Sequence, residues 1–261
     1  MDEKILILFV LFILIGCTPT DTPGSEAPGT EKPEGIPTEP AAEDTVVTEV
    51  KVMMPVDVFN PGGHLAVTLE PEHSTLVVLP ARAVETMEVK PGDVLAVTHA
   101  GIFLESYPLQ FGSVKEVEKV REEPDQFGLV MTVFDALAED SALLSGIAKI
   151  GVDLSEADNL TEAEKRALLW QWESQREEEI LPGTFDELAE QGEIDKENLV
   201  WEEGVLFSFA ANAADAAKKE LTYEAQMWRS GTGAVGTKNA KAVWENGAWT
   251  RTGGEHYVSK Q

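Results

Sequence analysis

Cysteine and basic residues are the scarcest features of this 261-residue chain. It has one cysteine, Cys17, so no disulfide can form within the chain and stability must come from core packing. Lysine and arginine number 20 against 47 aspartates and glutamates, which gives a formal net charge of -27. Proteins that bind a phosphate backbone usually carry clustered basic residues. We therefore expect no nucleic-acid partner and no electrostatic adhesion to anionic lipid.

The chain has only one long apolar run, at residues 5–16. It is shorter than the roughly 20 residues that a membrane-spanning helix needs, and it fits the apolar region of a signal peptide. The preceding Met1, Asp2, Glu3 and Lys4 carry one base and two acids where a positive cluster is usual. An alternative interpretation is a buried apolar segment followed by an incidental cysteine.

The end of this run, Leu-Ile-Gly before Cys17, resembles the lipobox of bacterial lipoproteins. The resemblance implies that residues 1–16 are a signal peptide and that Cys17 is diacylated on its sulfur and becomes the new N-terminus. It also implies an extracytoplasmic protein whose membrane partner is reached through this lipid. Acyl chains contribute about 0.8 kcal/mol per buried CH₂, so two or three of them hold a protein without a spanning helix.

Residues 17–45 are rich in proline, glycine, threonine and glutamate. They cannot bury enough apolar surface to offset the entropy lost on ordering. We predict a disordered tether that separates the lipid from the folded regions.

Residues 46–124 contain short apolar segments divided by turn residues, which is typical of a small barrel or sandwich. The segment 114–120 fits a strand and a short helix equally. Residues 89–94 (VKPGDV) and 101–110 (GIFLESYPLQ) resemble the end of an OB-like barrel in Bacillus-type (Firmicutes) envelope lipoproteins of unknown function. The resemblance implies a small OB-like β-barrel over 46–124 and an envelope location, but no reaction.

Residues 125–261 predict an α+β domain with helices and an antiparallel sheet, so that the whole chain is α+β. Apolar spacing predicts a helix over 127–144, and Thr-x-x-Glu capping boxes at Thr161 and Thr184 predict two helix starts. A strand is expected over 147–154, a hairpin over 198–209, and strands over 221–228, 240–244 and 248–252. Asn246-Gly247 is a hairpin turn that would let Trp244 pair with Trp249. Segments such as 153–155 (DLS) and 228–236 (WRSGTGAVG) resemble uncharacterised Firmicutes envelope proteins.

Motifs that carry chemistry are weak in this sequence. Residues 231–236 match G-x-G-x-x-G, but a strand hairpin follows where a helix is required, so a glycine-rich turn or bulge is expected. Asp153 and Asp158 lack the spacing of an EF-hand and are only weak candidates for a surface calcium site. The four histidines are scattered, and we predict no cofactor.

The six tryptophans all lie in the last hundred residues or so. Trp170 and Trp172 are two apart on a predicted helix and cannot share a face, so we expect one of them to be exposed or at a domain seam. The candidate ligand-facing residues are Tyr107, Trp170, Trp172, Trp228 and Arg229. The alternative is that the tryptophans simply form the core.

Two functions follow as hypotheses. The first is a lipid-anchored, non-catalytic binding module of the cell envelope, whose partner is another envelope protein or a small ligand. The second is an envelope hydrolase that uses carboxylates or a histidine, with or without a metal. The hydrolase requires His99, Glu105 and Tyr107, or Asp153 and Asp158, to converge in a pocket.

Overall fold

The computed structural model describes residues 45–57, 61–70, 73–139, 142–211 and 219–259, all within the compact unit Glu43–Gln261. The predicted signal peptide, Cys17 and nearly all of the predicted tether lie outside the described residues, and those assignments stay predictions. No helix in the described ranges is both long enough and apolar enough to cross a membrane.

The first half of the described chain forms one sheet, in the spatial order β5-β6-β3-β2-β1-β4-β7. Its strands are β1 (Val46–Val56), β2 (Gly63–Thr68), β3 (Leu76–Leu79), β4 (Asp93–His99), β5 (Phe103–Leu104), β6 (Leu109–Phe111) and β7 (Val114–Glu122), with the short helix α1 (Ala81–Val84) after β3. The short apolar segments of this region form these strands, and the ambiguous segment 114–120 is a strand. The β1–β2 register shifts at a bulge between Val52 and Met54.

The described strands of this sheet pair along an open path from β5 to β7, and the expected closed barrel is not clearly formed. Strand β7 is largely exposed and carries charged residues such as Glu116, Glu118 and Lys119. Charged side chains on an edge strand discourage pairing with another chain. The Lys-Pro-Gly-Asp turn before β4 is fixed by Asp93, whose carboxylate accepts from the Lys90 amide at 3.0 Å and pairs with Lys119 at 2.6 Å.

The second half forms a sheet in the order β13-β12-β11-β10-β8-β9, with β14 also paired to β12. Its strands are β8 (Lys149–Asp153), β9 (Glu179–Pro182), β10 (Gly204–Ala211), β11 (Glu220–Ser230), β12 (Gly233–Glu245), β13 (Ala248–Thr252) and β14 (Glu255–Ser259). The Asn246-Gly247 hairpin is confirmed, and Trp244 faces Trp249 with ring centres 5.4 Å apart.

Two expectations for this sheet were wrong. The sheet is mixed, because β8 runs parallel to both β9 and β10. A helix connects β8 to β9, and such a crossover returns the chain in the same direction, which a hairpin cannot do. The predicted hairpin over 198–209 is also absent from these described residues, since β10 pairs with β8 and β11 while Val200 makes only isolated bridges to Asp195 and Ser230.

Three helices pack with the second sheet: α2 (Gln126–Ala138), α3 (Glu162–Gln175) and α4 (Phe185–Glu190). Both predicted capping boxes are present, with Thr161 accepting from the Glu164 amide and Thr184 from the Glu187 amide at 3.2 Å each. The helix predicted over 127–144 ends at Ala138, and a separate 3₁₀ turn covers Ala142–Leu144.

A single apolar cluster joins the two sheets. It contains one face of the first sheet, including Met53 and Leu65, the inner sides of α2 and α3, and one face of the second sheet, including Phe207 and Met227. A second cluster lies on the other face of the first sheet, and a third lies between α4 and the second sheet. The molecule is therefore layered, with α2 and α3 between the two sheets.

Candidate functional site

Trp170 and Trp172 are both buried, so neither takes the exposed position that was one of the two expected alternatives. Their exposed fractions are 8% and 2%. The other alternative, a seam, agrees with the position of α3, which contacts β2 and β3 of the first sheet and β9 of the second. The Trp172 ring lies 5.0 Å from Phe207 and carries the Arg176 guanidinium at 4.7 Å. Packing accounts for this pair without a ligand.

Tyr107 lies on the surface of the first sheet, with 60% of its side chain exposed. It belongs to the loop between β5 and β6, where the Tyr107–Pro108 peptide bond is cis and Ser106 donates to the Pro108 carbonyl at 2.8 Å. Ile102 and Leu104 nearby are also largely exposed. Tyr107 does not line any described cleft together with the tryptophans.

His99 does not converge with Glu105 and Tyr107. His99 is 1% exposed, and both of its ring nitrogens are occupied. Its Nδ1 accepts from the Gly101 amide at 3.2 Å, so its Nε2 carries the proton and donates to Thr48 Oγ1 at 3.0 Å. Burial lowers the pKa of His99 and keeps the ring neutral. Glu105 and Tyr107 are exposed, so this histidine serves the core of the first sheet.

Asp153 and Asp158 have different environments. Asp153 ends β8 and accepts from the Ser155 amide and hydroxyl at 3.0 and 2.7 Å. Asp158 is exposed, and its amide donates to the Ala211 carbonyl at 3.2 Å. Within the described ranges there is no group of three or more histidine, cysteine, aspartate or glutamate side chains that could hold a metal ion.

The most apolar concave surface is a cleft of about 820 Å³ beside the β11–β12 hairpin, here called the apolar cleft. The cleft lies beyond the end of α2, on the face of β12 and β14 that points toward the central apolar cluster. Proteins bind small molecules mostly in clefts of this size with apolar walls and a few polar groups. Its walls include Leu137, Leu143, Val235 and Val258, and Arg229 and Glu139 provide charge.

Arg229 lines the apolar cleft and ties three segments of its wall together. Its Nη1 donates to the carbonyls of Leu143 and Ser145 at 2.9 Å each, and its Nη2 donates to the carbonyl of Glu202 at 2.8 Å. All three acceptors are backbone carbonyls from separate segments of the chain. Of the predicted ligand-facing residues, Arg229 lines the apolar cleft and Trp228 does not.

Trp228 lies on the opposite face of the second sheet. Its ring packs edge-on against Phe185 at 5.0 Å, within the cluster between α4 and the sheet. Trp228 also lines a shallow hollow that it shares with Gln226, Lys238 and Tyr257. The glycine-rich segment 231–236 forms the β11–β12 hairpin turn and the start of β12, as expected.

A charged cluster is buried between the first sheet and the helices. Lys51 Nζ lies 3.0 Å from Glu164 Oε1 and 3.6 Å from Glu123 Oε2. Asp125 caps α2 by accepting from the Gly128 amide at 2.8 Å, and burial raises its pKa to about 6. The Gly128 amide and Lys51 oppose this rise, and Glu164 adds to it. The cluster joins elements of the core and does not open into the apolar cleft.

Comparison of the chain with protein-family models, with curated proteins and with solved structures gave no match. The sequence identified Arg229 but missed Leu137, Leu143, Val235 and Val258. These residues are ordinary members of apolar patterns, and a sequence pattern does not show where a helix stops short of the sheet that it covers. The end of α2 before the 3₁₀ turn is the local feature from which the cleft could have been predicted.

Proposed function

We propose that this protein is a lipid-anchored, extracytoplasmic binding module of the cell envelope that holds a small ligand with an apolar body and performs no catalysis. The apolar cleft is the observation that carries the proposal. Val258, 60% exposed, and the partly exposed Leu137 and Val235 give this cleft apolar surface that no element of the described residues covers. Apolar surface removed from water contributes about 25 cal/mol per Å² to binding.

The proposed extracytoplasmic location of the protein is based on its N-terminal sequence. Residues 1–16 and Cys17 carry the lipobox-like pattern, and anchoring is the expected consequence. The OB-like relationship of the first sheet belongs to the same proposal. It is supported by β1, which pairs with β2 through one part of its length and with β4 through another, and has a bulge at Val52.

The lack of catalysis is proposed because three candidate acid–base groups, His99, Asp125 and Asp153, have structural partners. The His99 ring bonds Thr48 and the Gly101 amide, and Asp125 caps α2. Asp153 accepts from Ser155. A panel of hydrolase substrates is expected to show no turnover, and an activity that a single substitution abolishes would contradict this part of the proposal.

The ligand site is tested with 1-anilinonaphthalene-8-sulfonate, a fluorescent probe with an apolar body and one anionic group. The full chain carries Cys17→Ser so that no acyl chain competes for the probe. Val258→Asp places a charge in the apolar cleft and is expected to weaken probe binding about tenfold. Val47→Asp is the matched control, because Val47 is 62% exposed on β1 and lies outside the cleft. Equal probe binding by the two variants would contradict the site.

The anchor is tested by mass spectrometry of the native polypeptide. We expect a chain that begins at an acylated Cys17 and fractionates with membranes, and we expect Cys17→Ser to leave the membrane fraction. An intact Met1, or an unmodified thiol at position 17, would contradict the anchor while leaving the cleft experiment unaffected.

A further inference from the structure

The face of the second sheet opposite α2 and α3 carries a groove that the proposed function does not use. Strand alternation puts Gln226 and Trp228 on this outer face, whereas Met227 points into the central core. Leu188 of α4 and the buried Trp201 cover one end of the face. The rest of the face is not covered by any described element, and it is concave.

Two hollows of about 420 and 540 Å³ meet on this face and share Gln226, Lys238 and Tyr257, so we treat them as one outer groove. The groove crosses β10, β11, β12 and β14 along the paired residues Ser208, Gln226, Gly236 and Tyr257. Neighbouring strands lie about 4.8 Å apart, so this row spans about 14 Å. An extended ligand fits this length better than a compact one.

Aromatic rings form two walls of the outer groove. Trp228 is half-buried against Phe185, which leaves part of its ring in the groove. Tyr257 lies directly over Gly236, because a Cβ on that glycine would come within 2.5 Å of the Tyr257 hydroxyl and 2.7 Å of the Ala225 carbonyl oxygen. A glycine at this position therefore lets the tyrosine ring rest on the sheet.

The charged side chains that line the outer groove are mostly carboxylates, with Lys238 beside them: Asp153, Glu156, Asp186, Glu224 and Glu255. Ser208, Gln226 and Glu224 make no side-chain hydrogen bond to any other residue that the structure describes. Lys238 adds a donor whose Nζ is 5.8 Å from the centre of the Tyr257 ring. A ligand along this row would therefore meet many acceptors, together with the donors of Gln226 and Lys238.

We propose that the outer groove binds a neutral oligosaccharide, with its rings against Trp228 and Tyr257 and its hydroxyls bonded to Gln226, Lys238 and Glu224. Each sugar hydroxyl both donates and accepts, which matches this mixed set of groups. A cationic peptide would be attracted to the carboxylates that line the two hollows, but its ammonium groups only donate and would leave the donors of Gln226 and Lys238 unmatched. An anionic ligand would meet Glu224 and a chain of net charge -27.

Calorimetric titration of the full chain with maltotetraose, cellotetraose and tetra-N-acetylchitotetraose tests the proposal. At least one of these neutral probes is expected to bind with a saturable isotherm and to change tryptophan fluorescence through Trp228. The corresponding monosaccharides are expected to bind at least about tenfold more weakly, because they reach only part of the row. Tetralysine is the competing cationic probe.

Two variants locate the binding, each with a matched control. Tyr257→Ala removes a groove ring and is expected to weaken binding about tenfold, whereas Tyr107→Ala changes an exposed tyrosine of the first sheet and has no effect. Lys238→Ala removes an exposed groove donor that does not support the fold, and Lys241→Ala is its control on the same strand.

The proposal is overturned if no tetrasaccharide binds, if Tyr257→Ala and Lys238→Ala bind like their controls, or if tetralysine binds in the groove in place of the sugars. The outer groove and the apolar cleft open on opposite faces of the sheet and meet only at Ser230, Ala234 and Ser259, and Val258 lines only the cleft. Val258→Asp is therefore expected to leave sugar binding unchanged, and failure at one site does not imply failure at the other.

Discussion

Trp228 and Arg229 are neighbours in the chain, yet they line different clefts on opposite faces of the second sheet. Trp228 packs on Phe185 and faces the outer groove, whereas Arg229 bonds three backbone carbonyls at the wall of the apolar cleft. Successive residues of a strand point to opposite faces, and the β11–β12 register shifts between Trp228 and Ser230. Two residues that suggest one ligand site by their adjacency therefore line two separate clefts.

Arg229→Lys is expected to destabilise the protein by about 2 kcal/mol, because one ammonium cannot reach three carbonyls that a planar guanidinium spans. Urea unfolding measures the loss, and binding of the anilinonaphthalene probe should weaken with it because the cleft wall loosens. Arg82→Lys is the control, since Arg82 is exposed, and its effect should stay within about 0.5 kcal/mol. Equal stability of the two variants would show that the carbonyl contacts contribute little.

Asp125→Asn is expected to stabilise the protein above pH 6. Burial raises the folded-state pKa of Asp125 to about 6 from 3.8, so the folded protein binds this proton more tightly than the unfolded chain. The contribution of this raised pKa to the free energy of unfolding is fully present below about pH 4 and is lost as the pH rises through about 6. Asparagine caps a helix as well and stays neutral.

The gain for Asp125→Asn should reach at most about 3 kcal/mol at pH 8, from a pKa difference of about two units, and should vanish near pH 4. Urea midpoints at the two pH values measure it. Asp135→Asn, at an exposed position of α2, is the control. A gain of the same size at both pH values would mean that ionisation of Asp125 is not the cause.

Lys51→Met is expected to cost about 3 kcal/mol, because it leaves the buried Glu164 carboxylate without its cation. The double variant Lys51→Met/Glu164→Gln should recover much of this loss, since glutamine is neutral and still completes a capping box. Lys196→Met is the control at an exposed pair with Asp186 and should cost less than about 1 kcal/mol. A double variant no more stable than Lys51→Met alone would argue against an unpaired charge.

His99→Gln is expected to reduce the acid sensitivity of the protein. Burial lowers the folded-state pKa of His99, so the unfolded chain takes up the proton first as the pH falls below about 6.5. Stability present at pH 7 is therefore lost as the pH falls from about 6.5 through the folded-state pKa. The variant should be less stable than the parent at pH 7, but its free energy of unfolding should fall less between pH 7 and pH 5. His73→Gln, at an exposed position, should show the same dependence of stability on pH as the parent.

The structural features that depend only on neighbouring residues were predicted correctly from the sequence. The Thr161 and Thr184 boxes each satisfy two amides with one short segment, and Asn246-Gly247 supplies the positive φ angles of a tight hairpin, 53° and 75°. Trp244 and Trp249 then pair because the turn fixes their register. These features were predictable because distant parts of the chain do not affect them.

The mixed sheet and the burial of Trp170 depended on contacts that are distant in sequence. Strand β8 pairs in parallel with β9 and β10 after crossovers, and Trp170 and Trp172 are both buried because α3 contacts both sheets. A helical repeat in sequence shows which residues share a face, but it does not show how many faces are covered.

The amino-acid sequence by itself determined the acidic balance, the single cysteine, the caps and the hairpin turn, since composition and nearest neighbours decide these. Only the tertiary structure decided that His99 is a core residue, that Arg229 closes the wall of one cleft, and that Tyr257 rests on Gly236 in another. The physical reason is that a binding surface forms where packing between distant segments stops, and that boundary depends on all of those segments at once.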